Sequence, residues 1–227
     1  MHYQQKKIEE SYTLLKEWWE SIELTNYEKY ALNEDIITLN QQLLRLKEKV
    51  LRIGVYGKAG VGKSSILNNI LQEKFFNTGI LNGTTINFHS KEIKLVNNSI
   101  NIIEFIDTPG FDICNFKYEE NEIAKISHLD LILFITSGDL NRKELDNLLS
   151  LLKQGKNIIL ILNKIDIWED HEIEEIISKI REKISIDIPI ITNSIKENYL
   201  YEKSIIYKYI YETITRIGYS LLIYNTY

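Results

Sequence analysis

One cysteine, Cys114, and two prolines are all that the 227 residues hold of those types. A lone thiol excludes an internal disulfide and suits a reducing compartment. No apolar run approaches the roughly 18 residues that a membrane-spanning helix needs. The opening Met1–Glu10 stretch is too polar for the hydrophobic region of a signal peptide. The histidines His2, His89, His128 and His171 are scattered, and with one cysteine they compose no zinc set. Excess positive charge is also missing: the net charge is -5 and the pI about 5.5. Bulk attraction to nucleic acid is therefore not supported, although a local basic face stays open. The expectation is a soluble, intracellular protein. Its bias toward Ile, Lys, Asn and Tyr fits an AT-rich genome, which points to a plastid or a bacterial cytoplasm.

What is present is enough apolar residue, 44%, for a proper core. Residues 1–49 contain neither glycine nor proline and read as an N-terminal helical extension. Ile8, Tyr12, Leu15, Trp19 and Ile22 fall on one helix face, and Leu32, Ile36, Leu39, Leu43, Leu46 and Val50 on another. Thr25-Asn26-Tyr27-Glu28 has the form of a capping box before the second run. A helical hairpin, or two helices with a short break, is expected.

Residues 50–227 read as a second domain that includes a C-terminal helix. Strands are expected at Ile53–Tyr56, Phe88–Leu95, Ile100–Ile106, Leu131–Ile135, Ile158–Leu162 and Ile188–Ile191. Helices are expected at Ser64–Leu71, Glu119–Ser127, Arg142–Lys153, Glu172–Ile184 and Tyr199–Ile217. Alternation of this kind predicts a three-layer α/β fold around a mainly parallel sheet. The unbroken apolar runs at 131–135 and 158–162 suit strands covered on both faces.

Four motifs punctuate this region. In Gly57-Lys58-Ala59-Gly60-Val61-Gly62-Lys63-Ser64, a glycine-bracketed turn can aim its backbone N–H groups at a phosphate. Lys63 would bridge β- and γ-phosphates and Ser64 would ligate Mg²⁺. Ser65 follows at the N-terminus of the next helix, where the partial positive charge favours an anion. Thr84 and Thr85 lie in a stretch poor in large hydrophobes. One of them, Thr85 by preference, would complete the Mg²⁺ shell and meet the γ-phosphate. Asp107-Thr108-Pro109-Gly110 ends a strand, placing Asp107 by the metal and allowing Gly110 a close backbone approach to the γ-phosphate. Asn163-Lys164-Ile165-Asp166 names the base. Asn163 would brace the loops, the Lys164 stem would cover the base, and Asp166 would accept from guanine N1–H and the exocyclic amine. Adenine offers neither donor in that geometry, so an unpaired carboxylate would reject it. Ser194-Ile195-Lys196 reads either as a loop closing over the base or as an ordinary loop.

These residues resemble the translation-factor-related P-loop GTPases, and within them the Era/TrmE-like group, from about Leu51 to Lys196. The likeness to Era-like GTPases of cyanobacteria and plastids rests on Val55-Tyr56-Gly57, Gly62-Lys63-Ser64, Phe76-Asn77-Thr78-Gly79, Ile106-Asp107-Thr108-Pro109-Gly110-Phe111-Asp112, Asp130-Leu131-Ile132-Leu133-Phe134 and Gly138-Asp139-Leu140. The resemblance implies a G domain that uses GTP, GDP and Mg²⁺, with Lys63, Thr85 and Gly110 at the chemistry. It also implies a protein or ribonucleoprotein effector, and a family C-terminal helical domain for which this sequence leaves no room.

Two departures point to slow hydrolysis. Phe111 stands where some GTPases carry a water-orienting glutamine, and Gly60 where some Era/TrmE-like members carry a potassium-recruiting asparagine. The alternative is a GTP-dependent binding or assembly module with negligible turnover. Asp112 reads as structural rather than as a base. Trp19 is expected to pack on the G domain, with a partner-binding anchor as the other reading of Trp18-Trp19. The tyrosine-rich final helix is expected to cover the sheet, with an amphipathic docking surface as its alternative.

Overall fold

The computed structural model describes residues 2–78, 88–95, 100–112, 126, 128–184, 186–194 and 200–216. The chain divides into two compact units, one of residues 1–51, 92–104 and 214–227, the other of 52–91 and 105–213. The first holds three helices where the hydrophobic pattern predicts two: α1 (His2–Glu20), α2 (Asn26–Ala31) and α3 (Asn33–Glu48). The Thr25 capping box is present. Glu28 N–H donates to Thr25 Oγ1 at 3.3 Å, and Thr25 N–H donates to Glu28 Oε2 at 2.8 Å. It opens only the six-residue α2, because Leu32 leaves helical geometry at φ -101° and ψ 16°. Asn33-Glu34-Asp35 then starts α3 with residues that favour a helix N-terminus. At the far end of α3, Lys49 takes a left-handed φ of 56°. The Asn101 side chain caps the helix by donating to Glu48 O at 3.1 Å. Trp19 on α1 is half-buried, while Trp18 and Leu14 are exposed.

The strands are β1 (Val50–Gly57), β2 (His89–Lys94), β3 (Ile102–Asp107), β4 (Leu131–Thr136), β5 (Asn157–Asn163) and β6 (Ile190–Asn193), hydrogen-bonded in the order β2-β3-β1-β4-β5-β6. The β1–β4, β4–β5 and β5–β6 pairs are parallel. Their register sets Gly57 opposite Ile135 and Asn163 opposite Asn193. That alignment is what positions the site, because it brings the C-terminal ends of the parallel strands to one edge of the sheet. The last strand begins later than the expected Ile188, since Pro189 has no N–H for the ladder; its carbonyl accepts from Leu160 N–H at 2.9 Å.

The helices are α4 (Lys63–Leu71), α5 (Arg142–Lys153), α6 (Asp170–Lys183) and α7 (Leu200–Arg216). The helix expected at Glu119–Ser127 falls almost wholly outside the described residues. On β4 and β5, Ile132, Phe134, Ile158, Leu160 and Leu162 share a core with Leu148 and Leu151 of α5 and Ile176 and Ile180 of α6. The alternate residues, Leu131, Leu133, Ile135, Ile159 and Ile161, are equally buried on the opposite face. Double coverage explains why those strands read as continuous apolar runs. On α7, Ile206 and Ile210 are buried, and the Tyr207 hydroxyl donates to Ile70 O at the end of α4. Burial raises the Tyr207 pKa above the ordinary phenol value, which keeps the donor protonated. Among the described residues, no helix is long and apolar enough to cross a membrane.

Leu148 is fully buried where α5 meets β4 and β5. Leu148→Ala is expected to destabilise the protein by about 2–5 kcal/mol. Urea denaturation should show a lower midpoint with an unchanged slope.

Candidate functional site

The glycine loop turns sharply because its backbone passes through regions that side chains avoid. Gly60 and Gly62 have φ of 75° and 98°. A Cβ on Gly57 would come within 2.3 Å of the Ile135 carbonyl oxygen. Gly62 caps α4, and Ile66 N–H donates to its carbonyl at 3.0 Å. Lys63, nearly buried at the first turn, folds its ammonium over the loop and donates to Lys58 O at 2.6 Å and Gly57 O at 3.1 Å. The following Ser64 hydroxyl donates to Asp107 Oδ2 at 2.5 Å. Asp107 is 1% exposed at the end of β3. Ser65 lies half-buried on α4.

Three further segments close on this loop. From β5, Asn163 Nδ2 donates to Val61 O at 2.8 Å, and Asn163 Oδ1 accepts from Asn193 Nδ2 at 2.8 Å. Lys164 sits in the left-handed region at φ 61° and sends its ammonium to Gly60 O at 2.7 Å. A non-glycine residue held there is over-determined by its surroundings. Asp166 is partly exposed, and its Oδ1 accepts from the Ser194 hydroxyl at 2.9 Å. From the segment after β3, the Thr108 hydroxyl donates to Val55 O at 2.7 Å and pins the turn to β1. Gly110 then passes so close that a Cβ there would lie 2.4 Å from Ala59 N. From α5, Glu144 pairs with Lys58 at 3.0 Å.

The structure thus brings Gly57–Ser64, Asp107, Gly110, Asn163, Lys164, Asp166 and Ser194 around one loop. Thr84, Thr85 and Lys196 lie outside the described residues. Three contributors escaped the sequence reading of individual roles: Thr108, Asn193 and Glu144. Glu144 had a readable signal. Asn141-Arg142-Lys143-Glu144 is itself a capping box, with Glu144 N–H donating to Asn141 Oδ1 at 2.9 Å and Asn141 N–H donating to Glu144 Oε2 at 3.0 Å. Asn193 had none, since its role depends on β6 lying beside β5.

Phe111 is buried rather than displayed at the loop. Its ring lies 5.4 Å from Tyr56 by centroids, and Lys143 Nζ donates to its carbonyl at 3.2 Å. Nothing in that placement allows it to hold a water. The hydroxyl and carboxylate of Ser64 and Asp107 form an oxygen-only donor pair at the mouth of the loop. That chemistry fits a hard divalent cation such as Mg²⁺.

A family model described as 50S ribosome-binding GTPase matches residues 52–164. The chain is similar to GTPase Der of Nautilia profundicola, 32% identical over 122 residues, or 52% of this chain and 26% of the relative. It is similar to GTPase Era of Mycoplasma genitalium, 33% identical over 124 residues, covering 51% of this chain and 42% of that one. To the tRNA modification GTPase MnmE of Streptococcus pyogenes it is 28% identical over 174 residues, covering 70% and 35%. The chain spans less than half the length of each of these relatives. Among solved structures it is similar to Era of Aquifex aeolicus bound to GDP·AlF4⁻, with TM-score 0.60, 26% identity, and coverage of 72% of this chain and 57% of that one. An Era structure with MgGDPNP and a segment of 16S ribosomal RNA gives TM-score 0.57 at 25% identity, with the same coverage.

The Lys58–Glu144 pair is asymmetric, with side-chain exposures of 32% and 3%. Lys58→Met would strand a buried carboxylate and is expected to cost about 1–3 kcal/mol of stability. Glu144→Gln keeps the capping geometry and leaves a lysine that can reach water, so it should cost less. Denaturation of the two variants side by side checks the order.

Proposed function

We propose that this chain carries a GTPase domain of the family described as 50S ribosome-binding GTPase, whose model matches residues 52–164, and that it binds GTP and GDP with Mg²⁺ and hydrolyses GTP as a conformational switch. The observation that carries this reading is the convergence of two distant segments on one phosphate-type loop: the end of β3, with Asp107 at Ser64, and the end of β5, with Asn163 at Val61 and Lys164 at Gly60. An isolated glycine turn would have no reason to recruit them.

Each residue then has a physical task. The backbone N–H groups of Gly57–Ser64 and the start of α4 receive the phosphates. Lys63, held across the loop by two carbonyls, presents its charge to the β- and γ-phosphate oxygens. Asp166, its carboxylate oriented by the Ser194 hydroxyl, accepts from guanine N1–H and the exocyclic amine. The extended Lys164 stem covers the base, and Lys196 is proposed to close over it. Ser64, Asp107 and Thr85, with Thr84 as the neighbouring option, are proposed to hold Mg²⁺. Held there, that ion would neutralise charge that develops during phosphoryl transfer. Gly110 is proposed to bring its backbone to the γ-phosphate.

Water attack on the γ-phosphorus breaks the bond to the β–γ bridging oxygen, leaving GDP and phosphate. Among the described residues after Asp107-Thr108-Pro109-Gly110, Phe111 is packed on Tyr56 and cannot orient that water. Intrinsic turnover is therefore slow, and a group supplied in trans could raise it by roughly 10³–10⁵. A ribonucleoprotein effector is supported by the Era structure that holds ribosomal RNA, against the net charge of -5 of this chain. The curated relatives quoted above are bacterial, which supports a bacterial cytoplasm over a plastid.

Calorimetric titration of GTP, GDP and ATP with Mg²⁺ tests the reading. Both guanine nucleotides should bind and ATP should not. Asp166→Asn should weaken guanine nucleotides by about tenfold or more, the loss of one or two charge-assisted hydrogen bonds. ATP binding as tight as GTP, or no binding of any nucleotide, would refute it.

A further inference from the structure

Asp112 has a role that its place in a turn does not suggest. Its Oδ1 accepts from the Ala59 backbone N–H at 2.7 Å, so a carboxylate is seated on an amide of the phosphate loop. The same oxygen lies 2.8 Å from where a Cβ on Gly110 would stand. Only a glycine at 110 lets the carboxylate cross to the loop.

The position of Ala59 identifies which phosphate is concerned. Along the turn, Gly60 O is met by Lys164 and Val61 O by Asn163, so that side faces the segment carrying Asp166. Ala59 N instead meets Asp112 and lies beside Gly110, in the segment that follows Asp107. In GTP switches that second segment is the one that answers to the third phosphate. Diphosphate and triphosphate therefore differ on the side where Asp112 sits.

We infer that Asp112 is a specificity-determining residue that sets the balance between GDP and GTP by competing with the γ-phosphate for the Ala59 amide. A phosphate oxygen and a carboxylate oxygen seek the same donor, and two anions at that separation repel. GDP ends before the contested place and does not oppose the carboxylate. GTP must displace it, so its apparent affinity is reduced by the fraction of molecules in which Asp112 is seated. Release is local. Asp112 is exposed, whereas Phe111 beside it stays anchored by Tyr56 and Lys143.

The inference rests on the guanine-nucleotide reading above, and one experiment separates the two. The full chain, freed of nucleotide, and its Asp112→Asn and Asp112→Ala variants are titrated with Mg²⁺ and either GDP or a non-hydrolysable GTP analogue. Thermal melting verifies that each variant is folded, as expected for an exposed position. Asp112→Ala should bind the triphosphate analogue roughly tenfold more tightly, the gain from removing a competitor seated in about nine molecules of ten. Asp112→Asn, whose amide oxygen still accepts from Ala59 but carries no charge, should gain less. GDP affinity should move by less than about threefold, since GDP meets no competitor. Equal shifts for both nucleotides would mean that Asp112 merely braces the loop, and would overturn the inference. Weaker triphosphate binding, or no change with either nucleotide, would overturn it as well. Failure of the unmodified chain to bind either nucleotide would remove the underlying reading and this inference with it.

Discussion

The buried amide of Asn163 is the joint on which the site depends. It is 0% exposed, donates to the Val61 carbonyl and accepts from Asn193. Through it the ends of β5 and β6 are tied to the glycine loop that follows β1. A side-chain amide suits this place because it offers donor and acceptor at once, so neither neighbour is left as an unsatisfied buried group. The parallel register supplies the other half of the joint by setting Asn163 directly opposite Asn193. Without that register, Lys164 and Asp166 would have no fixed relation to the phosphate loop.

Charge is distributed around this joint with a consistent logic. Lys63, Asp107 and Glu144 are buried, and each meets a named partner: loop carbonyls, the Ser64 hydroxyl, and Lys58. Burying an ion without a partner costs several kcal/mol, so such groups persist where other groups hold them. The exposed pairs of α6, such as Lys179 with Glu175, carry much less weight, because water screens them. Acidic residues at the start of α6 and basic residues at its end complement the helix dipole.

Much of the fold was legible because local rules and tertiary context agree. Arg142–Lys153 was expected as a helix and is one, its amphipathic pattern reinforced by a capping box. The doubly covered strands β4 and β5 announced themselves as unbroken apolar runs. Disagreement arose where one residue outweighed a pattern. Leu32 breaks the second N-terminal helix although the apolar spacing runs on, and Pro189 delays β6. Among the site residues, those in contiguous motifs could be read directly. Asn193 and Glu144 could not be assigned to the site, because their partners lie 30 and 86 positions away by residue number, as 193 - 163 and 144 - 58. No short-range pattern encodes such a meeting. Asp112 was read as structural rather than as a base, and its contact with Ala59 links two motifs in a way that no short-range pattern states.

Short motifs establish chemistry because a phosphate loop, a metal carboxylate and a base-reading carboxylate are each built within a few consecutive residues. Backbone geometry at that range follows from residue type: Gly60 and Gly62 adopt positive φ wherever they stand in such a turn. Hydrophobic periodicity likewise establishes the class of fold, since burial on one or both faces is written into the repeat. Assembly is different. That Asp107 meets Ser64, that Lys164 meets Gly60, and that Phe111 turns inward onto Tyr56 all depend on packing between segments far apart in the chain. The pattern along the sequence says which groups could act on a nucleotide. Close packing of the parallel sheet decides which of them stand within hydrogen-bond reach of one another, because contact is a property of position in space and not of order along the chain.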